Sequence, residues 1–374
     1  MRTVDAAGLR IGDDHPPRIM GVLNVSAESP YEPSVFDDPA EAATYVDERL
    51  VGEGADIVDV GLESANKRFD VLPVEAELDR LGTAVETIES VSGDAVFSIE
   101  TRYHEVAEAA LDAGFDMVND ICGFADPEMP RVCAEYDAAV AKMASPPDLE
   151  RPGAIEDPDD IYEALSHNGF TEKTIVDPAF GGWSEAKTLE DDHETFRRLR
   201  EFRAYGRPML VSINRKNFLR EIAGRETEEA LPVSLAATSM AVERGAHVIR
   251  THDVAETRDA ALVGYEFARD RLVGEIGVEE LDVTTVDEAR RYVDRIEGSP
   301  GHAEEMVVRV FELSGLSRPA VEAVPDGLPV GAVFVPGEDG GLLYGTVAAL
   351  HAVEPDRVGE DAAAALRAVR SAVR

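Results

Sequence analysis

Polar side chains that could bind a charged or hydrogen-bonding ligand recur at one position in this sequence, the end of a short apolar run. Eight such runs lie at 18–24, 55–61, 95–100, 116–120, 138–143, 173–179, 208–214 and 246–252. Their polar ends are Asn24, Asp59, Glu100, Asn119, Asp120, Lys142, Asp177, Asn214, Arg215, Lys216, Arg250 and His252. A single Asp or Asn at such a place is often only a turn or cap residue. Eight polar ends together predict one ligand site.

The basic residues of the last two runs predict an anion site. Lys216 follows the seventh run, and Arg250 and His252 end the eighth. Arginine can donate through its forked guanidinium, and lysine supplies a compact point charge. Asn24, at the end of the first run, is predicted as a ligand of Mg²⁺ whose shell is completed by substrate phosphates.

The acidic residues predict a different kind of contact. A carboxylate accepts hydrogen bonds at two oxygens, so it can bind two parallel N–H donors. Glu100 and Asp177, together with Asn119, therefore suit a flat ring that carries donor nitrogens, such as an aminopyrimidine.

The spacing of the runs predicts the elements that position these residues. The runs are rich in β-branched residues and nearly all apolar, as is typical of strands buried on both faces of a parallel sheet. The spacers read as helices, and Asp38 followed by Pro39 marks one helix start. Eight strand–helix units predict an α/β fold, a (β/α)8 TIM barrel with its site at the carboxyl ends of the strands. A doubly wound open sheet is the alternative, although no glycine fingerprint follows the first strand.

The pattern changes near residue 276. We therefore predict a barrel domain over 1–275 and a small α+β domain over 276–374, whose role the sequence does not indicate. Within the second domain, a helix is expected in the second half of 279–298 and another over 302–316. The segment 330–353 is expected to form a strand, a turn, and then a strand or helix.

The composition excludes some partners. There are 75 acidic and 36 basic residues, for a formal net charge of −39. This charge argues against nucleic acid and against an anionic membrane surface as partners, because both are negatively charged and bind positively charged protein surfaces. Abundant acids with only five lysines are typical of proteins from salt-accumulating halophiles, where salt screens the repulsion. An ordinary acidic cytosolic protein is the alternative.

The few lysines are unevenly placed. Lys142 and Lys216 follow strand runs, while Lys67 and Lys187 fall in the loops after the second and sixth runs. Four of the five lysines are thus expected at one face of the barrel.

Cysteine content and hydropathy bear on location. Cys122 and Cys133 form neither a disulfide framework nor a zinc pattern, which favours a reducing compartment. The first residues contain no apolar signal segment, and no stretch approaches 18 apolar residues. We expect a cytoplasmic protein without a membrane span.

Seven stretches in order resemble the signatures of the dihydropteroate synthase family of pterin-binding barrels. They are "IMGVLNVSAESP", "GADIVDVGLES", "FSIET", "VNDICG", "VDPAFG", "SINRKNF" and "VIRTHDV", spread over residues 18 to about 270. The resemblance implies a TIM barrel that condenses 6-hydroxymethyl-7,8-dihydropterin pyrophosphate with 4-aminobenzoate, releasing pyrophosphate, in folate biosynthesis. It also implies Mg²⁺ as cofactor and a homodimer.

The resemblance assigns roles to individual residues. It implies that the pterin is bound by Glu100, Asn119, Asp177 and Lys216, and the pyrophosphate and its Mg²⁺ by Asn24, Arg250 and His252. Lys216, Asp177, Arg250 and His252 are the expected catalytic residues. Arg68, Asn214 and Arg215 are the expected contacts of the arylamine acceptor.

The departures from the family pattern concern mainly the acceptor. The first loop has Glu28 where the family has Asp, and the second reads "LESANKRFDVLP" without the usual Thr-Arg pair. Glu100 stands where the family has Asp, and Asn214 where it has Ser. Two alternatives therefore remain: a pterin-binding paralogue without condensation activity, and a pterin-dependent methyltransferase of the same superfamily. The basic residues of the pyrophosphate pocket argue against the methyltransferase.

Overall fold

The computed structural model describes residues 1–25, 34–63, 71–181, 187–268, 273–274 and 278–373. The chain divides into two compact units, Met1–Arg269 and Asp270–Arg374. This division lies a few residues before the boundary expected from the sequence. Each unit contains its own cluster of buried apolar residues.

The first unit begins with a hairpin and continues as a barrel of eight parallel strands. The hairpin consists of β1 (Val4–Ala6) and β2 (Leu9–Ile11). The barrel strands are β3 (Arg18–Asn24), β4 (Ile57–Gly61), β5 (Val96–Thr101), β6 (Met117–Asp120), β7 (Ala139–Met143), β8 (Thr174–Asp177), β9 (Leu210–Val211) and β10 (Val248–Thr251). They pair in the order β8-β7-β6-β5-β4-β3-β10-β9. The predicted TIM barrel is confirmed.

A single parallel bridge closes the barrel between its first and last strands in this order. Val176 of β8 is bridged to Met209, just before β9, and the Val176 N–H donates to the carbonyl of Pro208 at 2.9 Å. Pro208 has no N–H of its own to contribute to the seam. This seam therefore has one paired position, compared with two between β9 and β10 and four or five between the other neighbouring strands.

Helices surround the barrel, as expected from the spacers. They are α1 (Pro39–Tyr45), α2 (Val74–Ser90), α3 (His104–Asp112), α4 (Met129–Glu135), α5 (Pro158–Ser166), α6 (Leu189–Arg197), α7 (Asn217–Ala223), α8 (Leu231–Glu243) and α9 (Val254–Glu266). Asp38 caps α1 by accepting hydrogen bonds from the N–H groups of Ala40 and Glu41. No helix among the described residues is both long enough and apolar enough to cross a bilayer.

Side-chain alternation along the strands separates an inner from an outer layer. Met20, Ile57 and Val248 pack inside the barrel with Val4 and Ile11 of the hairpin. The intervening strand residues pack outward against the helices in the main core. Because successive residues of a strand point to opposite faces, positions 59, 100, 119, 177 and 250 face inward, whereas positions 120 and 142 face the helices. The hairpin covers the amino-terminal end of the barrel, which leaves the carboxyl end for the site.

The second unit is an α+β structure with its own core. Its elements are β11 (Val273–Gly274), β12 (Val278–Glu279), α10 (Val286–Arg295), β13 (Val308–Ser314), α11 (Arg318–Ala323), β14 (Ala332–Pro336), β15 (Gly340–Thr346), α12 (Val347–His351) and α13 (Glu360–Ala372). Antiparallel pairing gives a three-stranded sheet in the order β13-β15-β14.

One sequence expectation in this unit is wrong. The predicted helix over 302–316 contains instead the strand β13. The reason is an alternating pattern: Val308 and Val310 face solvent while Phe311 and Leu313 pack inward on the core. This two-residue period fits a strand and not a helix. The outer face of the sheet exposes six large apolar residues, Val308, Val310, Val333, Val335, Leu342 and Tyr344.

Candidate active site

A pocket opens at the carboxyl ends of the barrel strands. It leaves about 340 Å³ of empty space, part of it open to solvent. Its lining consists of Glu100, Asn119, Ile121, Met143, Asp177, Ala179, Phe180, Ser212, Lys216 and Arg250. All four residues predicted to bind the pterin, together with Arg250, therefore border one cavity.

An inner cluster of four hydrogen-bonded residues lies inside the mouth of the barrel: Asp59, Glu100, Asn119 and Arg250. The Nε of Arg250 donates to Oδ2 of Asp59 at 2.7 Å, and Nη2 donates to Oε2 of Glu100 at 2.6 Å. The Nδ2 of Asn119 donates to the same Oδ2 of Asp59 at 2.9 Å. Arg250 is thus held between two carboxylates of neighbouring strands.

Asp59 is the deepest member of the inner cluster. Its side chain is fully buried, and its Oδ1 has no hydrogen-bond partner among the described residues. A buried acceptor without a partner is costly, which marks this position for a role beyond stability. The sequence places Asp59 at a strand end but assigns it no individual role. Its parity with Gly61, two residues later at the end of β4, could have shown that it faces into the barrel.

Burial shifts the acid–base behaviour of the two pterin-side carboxylates. The pKa of Glu100 is raised to about 6, because burial outweighs the nearby charge of Arg250. Burial also raises the pKa of Asp177 to about 6, against a hydrogen bond from the Ala179 N–H and the charge of Lys216. Both groups are thus ionised near neutral pH but become protonated in mild acid.

Lys216 approaches the pocket from the start of α7. Burial, reinforced by the positive charge of Arg250, lowers the pKa of Lys216 to about 8. Gly181, with a φ of +111°, makes room for its side chain, since a Cβ at position 181 would lie 3.0 Å from Nζ. The positive charge is therefore kept at neutral pH but lost in mild alkali.

Asn24 and His252 lie near each other through Ser34. The Nδ2 of Asn24 donates to Oγ of Ser34 at 2.9 Å, and this Oγ is 3.4 Å from Nδ1 of His252. Burial, with Arg250 as the next cause, lowers the pKa of His252 to about 3. The imidazole is therefore neutral at working pH, with one donor and one acceptor nitrogen.

The two described residues expected to contact the acceptor are tied to Asp253. Arg215 donates through Nε and Nη2 to both carboxylate oxygens of Asp253, at 2.8 and 2.9 Å, and through Nη1 to the carbonyls of Thr227 and Glu228. The Nδ2 of Asn214 donates to Oδ2 of Asp253 at 2.9 Å. Arg68, the third residue, lies outside the described residues.

An outer cluster, which likewise pairs an arginine with a carboxylate, lies between β4, β5 and α2. It consists of Glu63, Glu77, Thr101 and Arg102, all buried. Arg102 donates through Nη2 to Oε2 of Glu63 at 2.9 Å and through Nη1 to the carbonyl of Leu149 at 2.6 Å, while Thr101 donates to Glu77 at 2.7 Å. None of the four borders the pocket.

The expectation that four lysines gather at one face is wrong for Lys142. This residue has outward parity and donates to the carbonyls of His167 and Gly169, with its Nζ 4.6 Å from the centre of the Phe124 ring. Asp120, also outward, accepts from the N–H groups of Cys122 and Phe124 and so shapes a turn.

Of the two loop lysines, Lys187 lies within the described residues. Lys187 is buried and holds the loop after β8, donating to the Ala179 carbonyl at 2.9 Å and lying 3.3 Å from Oδ1 of Asp192. Lys67 lies outside the described residues. The structure also adds lining residues that were given no role from the sequence. Ser212 and Phe180 lie within the quoted stretches "SINRKNF" and "VDPAFG", and the inward parity that Ser212 shares with Asn214 could have identified it, whereas Met143 is an apolar residue at the end of the fifth run.

Comparison with known proteins identifies consistent relatives. Residues 20–252 match the family model described as pterin binding enzyme. A protein of Haloferax volcanii named "probable bifunctional folylpolyglutamate synthase/dihydropteroate synthase" is 34% identical over 260 residues, which cover 65% of this chain and 30% of that protein. A Halobacterium salinarum protein of the same name has 31% of its length covered. The chain thus spans under a third of these two relatives.

Shorter relatives are covered almost completely. The dihydropteroate synthase of Clostridium beijerinckii is 31% identical over 250 residues, 65% of this chain and 91% of that enzyme. The Thermus thermophilus dihydropteroate synthase, solved in complex with 4-aminobenzoate, has a TM-score of 0.57 and 30% identity over 71% of this chain and 100% of its own. The Xanthomonas albilineans enzyme, solved with 7,8-dihydropteroate, has a TM-score of 0.55 and 29% identity over 70% and 97%.

Proposed function

The chain belongs to the family of pterin-binding enzymes, and from this we propose that it is a dihydropteroate synthase, a transferase of a dihydropterinylmethyl group. It would join 6-hydroxymethyl-7,8-dihydropterin pyrophosphate to 4-aminobenzoate or a related arylamine and release pyrophosphate. The observation that carries the proposal is the pocket in which Glu100, Asn119, Asp177 and Lys216 meet Arg250. Groups that can accept hydrogen bonds from the ring and groups that can donate hydrogen bonds to phosphate border one cavity, as this reaction requires.

The ring half of the site binds the pterin in this proposal. The carboxylates of Glu100 and Asp177 accept hydrogen bonds from the ring nitrogens, and Asn119 can both donate and accept. Lys216 donates to the ring from the side of Asp177. The raised pKa values of the two carboxyl groups leave them charged at neutral pH, where they also favour a cationic methylene next to the ring.

The phosphate half binds the leaving group. Arg250 can donate to phosphate oxygens through a guanidinium that Asp59 already orients. His252, neutral in its buried position, can add a neutral N–H donor beside it. Charge develops on the pyrophosphate as its C–O bond breaks, and preoriented donors stabilise that charge most where it develops.

The residues near Asn24 fit a magnesium ion. Because Nδ2 of Asn24 binds Ser34, its Oδ1 is the oxygen that can face an ion, and Gly61 leaves space beside it, since a Cβ there would lie 3.2 Å away. Mg²⁺ usually takes one or two protein oxygens and completes its shell with water and substrate phosphates. When bound, it would neutralise negative charge on the leaving pyrophosphate.

The acceptor half departs most from the family pattern. Arg215 donates hydrogen bonds to both oxygens of Asp253 and to two backbone carbonyls. We therefore assign to Arg215 and Asn214 the role of positioning the segment that leads into Lys216. Arg68 remains the proposed direct contact of the arylamine carboxylate, since arginine binds carboxylates in a bidentate manner.

A pyrophosphate-release assay in molar salt tests the function. We expect pyrophosphate only when pterin pyrophosphate, Mg²⁺ and an arylamine are all present. Pterin binding without release across a panel of arylamines would instead support the paralogue without condensation activity. Methyl transfer from a reduced folate without pyrophosphate release would support the methyltransferase.

We further propose a homodimer formed through α8 and α9. Met240 of α8, Leu262 and Val263 of α9, and Phe267 directly after α9 are exposed apolar residues, and Phe267 keeps 79% of its surface accessible. A contiguous exposed apolar patch commonly marks a protein interface. The chain has a mass of 40.4 kDa. Light scattering should give twice this mass for the wild type, and the single-chain mass for a Met240→Glu, Val263→Glu double variant.

Two further expectations extend the proposal. We propose that the barrel over 1–275 and the α+β part over 276–374 are separate domains, which the two compact units support. Limited proteolysis should then cut near residue 275 before it cuts elsewhere.

A cytoplasmic location suits the two buried unpaired cysteines, Cys122 and Cys133.

A further inference from the structure

The two residues that would serve different halves of the substrate satisfy each other in the structure. Glu100 is the proposed acceptor for the pterin ring, and Arg250 the proposed donor to the phosphates. Their side chains meet at 2.6 Å, from Nη2 of Arg250 to Oε2 of Glu100. Neither side chain can therefore give its full bonding capacity to a ligand while this contact persists.

The contact is strong but not sealed. The side chains of Glu100 and Arg250 keep 12% and 19% of their surface accessible, and both border the pocket. A charge-assisted hydrogen bond of this length is among the stronger contacts in a protein. Because the pair faces the cavity, an incoming ligand can replace each partner by one of its own groups.

Asp59 fixes the other end of the guanidinium. Its Oδ2 accepts from Nε of Arg250 at 2.7 Å and from Asn119 at 2.9 Å. If Nη2 leaves Glu100, Arg250 remains tethered through Nε, so the guanidinium can turn without leaving the site. The unpartnered Oδ1 of Asp59 offers a second acceptor to the guanidinium during such a turn.

The length of the Glu100 side chain is what allows the contact. An aspartate at this position would end one methylene earlier, about 1.5 Å further from Arg250. A 2.6 Å hydrogen bond would then open beyond hydrogen-bonding distance. The contact is thus a property of this chain's glutamate.

Taking the proposed function as its basis, we propose that the Glu100–Arg250 contact is a latch that couples the two halves of the site. An anion that draws Nη2 of Arg250 toward its phosphates frees Glu100 to accept hydrogen bonds from the pterin ring. A ring that engages Glu100 likewise frees Arg250 for phosphates. Whichever group binds first breaks the latch, so the second binds more tightly, and the two effects must be equal because coupling is reciprocal.

Calorimetric titration with two separate probes tests the latch. The probes are 6-methylpterin, which carries no phosphate, and inorganic pyrophosphate with Mg²⁺, in molar salt. For the wild-type chain we expect saturating pyrophosphate to lower the Kd of 6-methylpterin about tenfold, and 6-methylpterin to lower the Kd of pyrophosphate by the same factor, within the usual range of such couplings.

Variants of Glu100 separate the latch from direct contact between the two ligands. In Glu100→Asp both probes should still bind, but the coupling should fall below about twofold because the latch is already open. Glu100→Gln, which keeps the length and loses the ion pair, should also reduce it and serves as a second variant if Glu100→Asp is unstable. Glu77→Asp is the matched control, a buried glutamate of the outer cluster, and should keep the full tenfold effect.

The outcomes distinguish this proposal from the function on which it rests. Binding of both probes to the wild type without coupling, or equal coupling in wild type and Glu100→Asp, overturns the latch alone. Failure of either probe to bind the wild type overturns the proposed function and the latch together.

Discussion

Arg250 and Arg102 can be compared directly, because each is an arginine paired with a carboxylate at the carboxyl end of the same barrel; Arg102 is fully buried, whereas Arg250 keeps 19% of its side chain accessible. Arg250 bonds Asp59 and Glu100 within the inner cluster, and Arg102 bonds Glu63 within the outer cluster. The inner cluster borders the pocket, whereas the outer cluster is closed by α2 and by the Leu149 carbonyl. Position along the strands separates them: Asp59, Glu100 and Arg250 lie within the strands and face into the barrel, whereas Glu63 and Arg102 follow the ends of β4 and β5. Ion pairs of the same kind thus border the pocket in one case and hold the loops beyond the strands in the other.

Replacing Arg250 should have the largest effect on this comparison. Arg250→Ala removes the proposed donor to the leaving pyrophosphate, and loss of one preoriented donor typically lowers rates by about 10²–10³. We expect kcat/KM for pyrophosphate release to fall by about this factor while the circular dichroism spectrum stays native. A rate within threefold of wild type would place the leaving group elsewhere.

Replacing Arg102 should affect stability and leave binding intact. Arg102→Met leaves Glu63 buried without its partner, and breaking a buried ion pair in this way typically costs about 3 kcal/mol. Urea unfolding should show this loss, whereas the Kd of 6-methylpterin for the folded protein should change less than twofold. A large rise in that Kd would mean that the outer cluster takes part in the site.

Lys142 and Lys216 give a second, smaller contrast. Burial lowers the pKa of Lys216 and of Lys142 alike, each to about 8, yet only Lys216 borders the pocket. Lys216→Ala should weaken 6-methylpterin binding about tenfold, the size expected for a lost hydrogen bond to a charged group. Lys142→Met should leave that Kd unchanged and lower the melting temperature, because the carbonyls of His167 and Gly169 lose their donor. Calorimetry and thermal melts of both variants provide the comparison.

The pH dependence of kcat/KM and of stability should also distinguish the inner cluster from the outer cluster, and here the expected changes are the smallest. The pKa of Glu100 and of Asp177 is raised to about 6 and that of Lys216 lowered to about 8. The proposed mode of ring binding needs both carboxylates ionised and the lysine charged, so kcat/KM should rise through pH 6 and fall above pH 8.

Ionisation of Glu77 should affect the free energy of unfolding and not the rate of catalysis. Burial raises its pKa from 4.5 to about 7, so the folded state binds the proton more tightly than the unfolded state. Its contribution to the free energy of unfolding is present below about pH 4.5 and declines until about pH 7. Glu77→Gln should flatten this decline in urea melts at several pH values and leave the rate profile unmoved. A shift of the rate profile would contradict the separation of the two clusters.

Much of the fold could be predicted from the sequence, because apolar runs and helix signals are local. The eight barrel strands and the start of α1 at Asp38 follow from such patterns. The error over 302–316 arose because β13 carries apolar residues on both faces, Val308 and Val310 outside and Phe311 and Leu313 inside, so its two-residue period shows in burial and pairing and not in the pattern of residue types.

The site could be predicted in part, for a related reason. Strand ends indicate which residues come near the mouth of the barrel, but the parity that turns Lys142 away depends on register. The pairing of Arg250 with both Asp59 and Glu100 joins strands separated by some 150 to 190 residues of chain. Such partners are set by closure of the barrel, so no local pattern contains them.

The thin seam between β8 and β9 has a consequence for motion. Local opening begins where backbone hydrogen bonds are fewest, and here Val176 donates to Pro208 across a single bridge. Asp177 lies directly after one side of this seam, and the chain beyond the other side leads to Lys216. A breathing motion there would draw these two residues apart while the remaining strand pairs stay intact. Of the strand pairs in the barrel, the sixth and seventh are thus the pair that can part with the smallest loss of backbone hydrogen bonds.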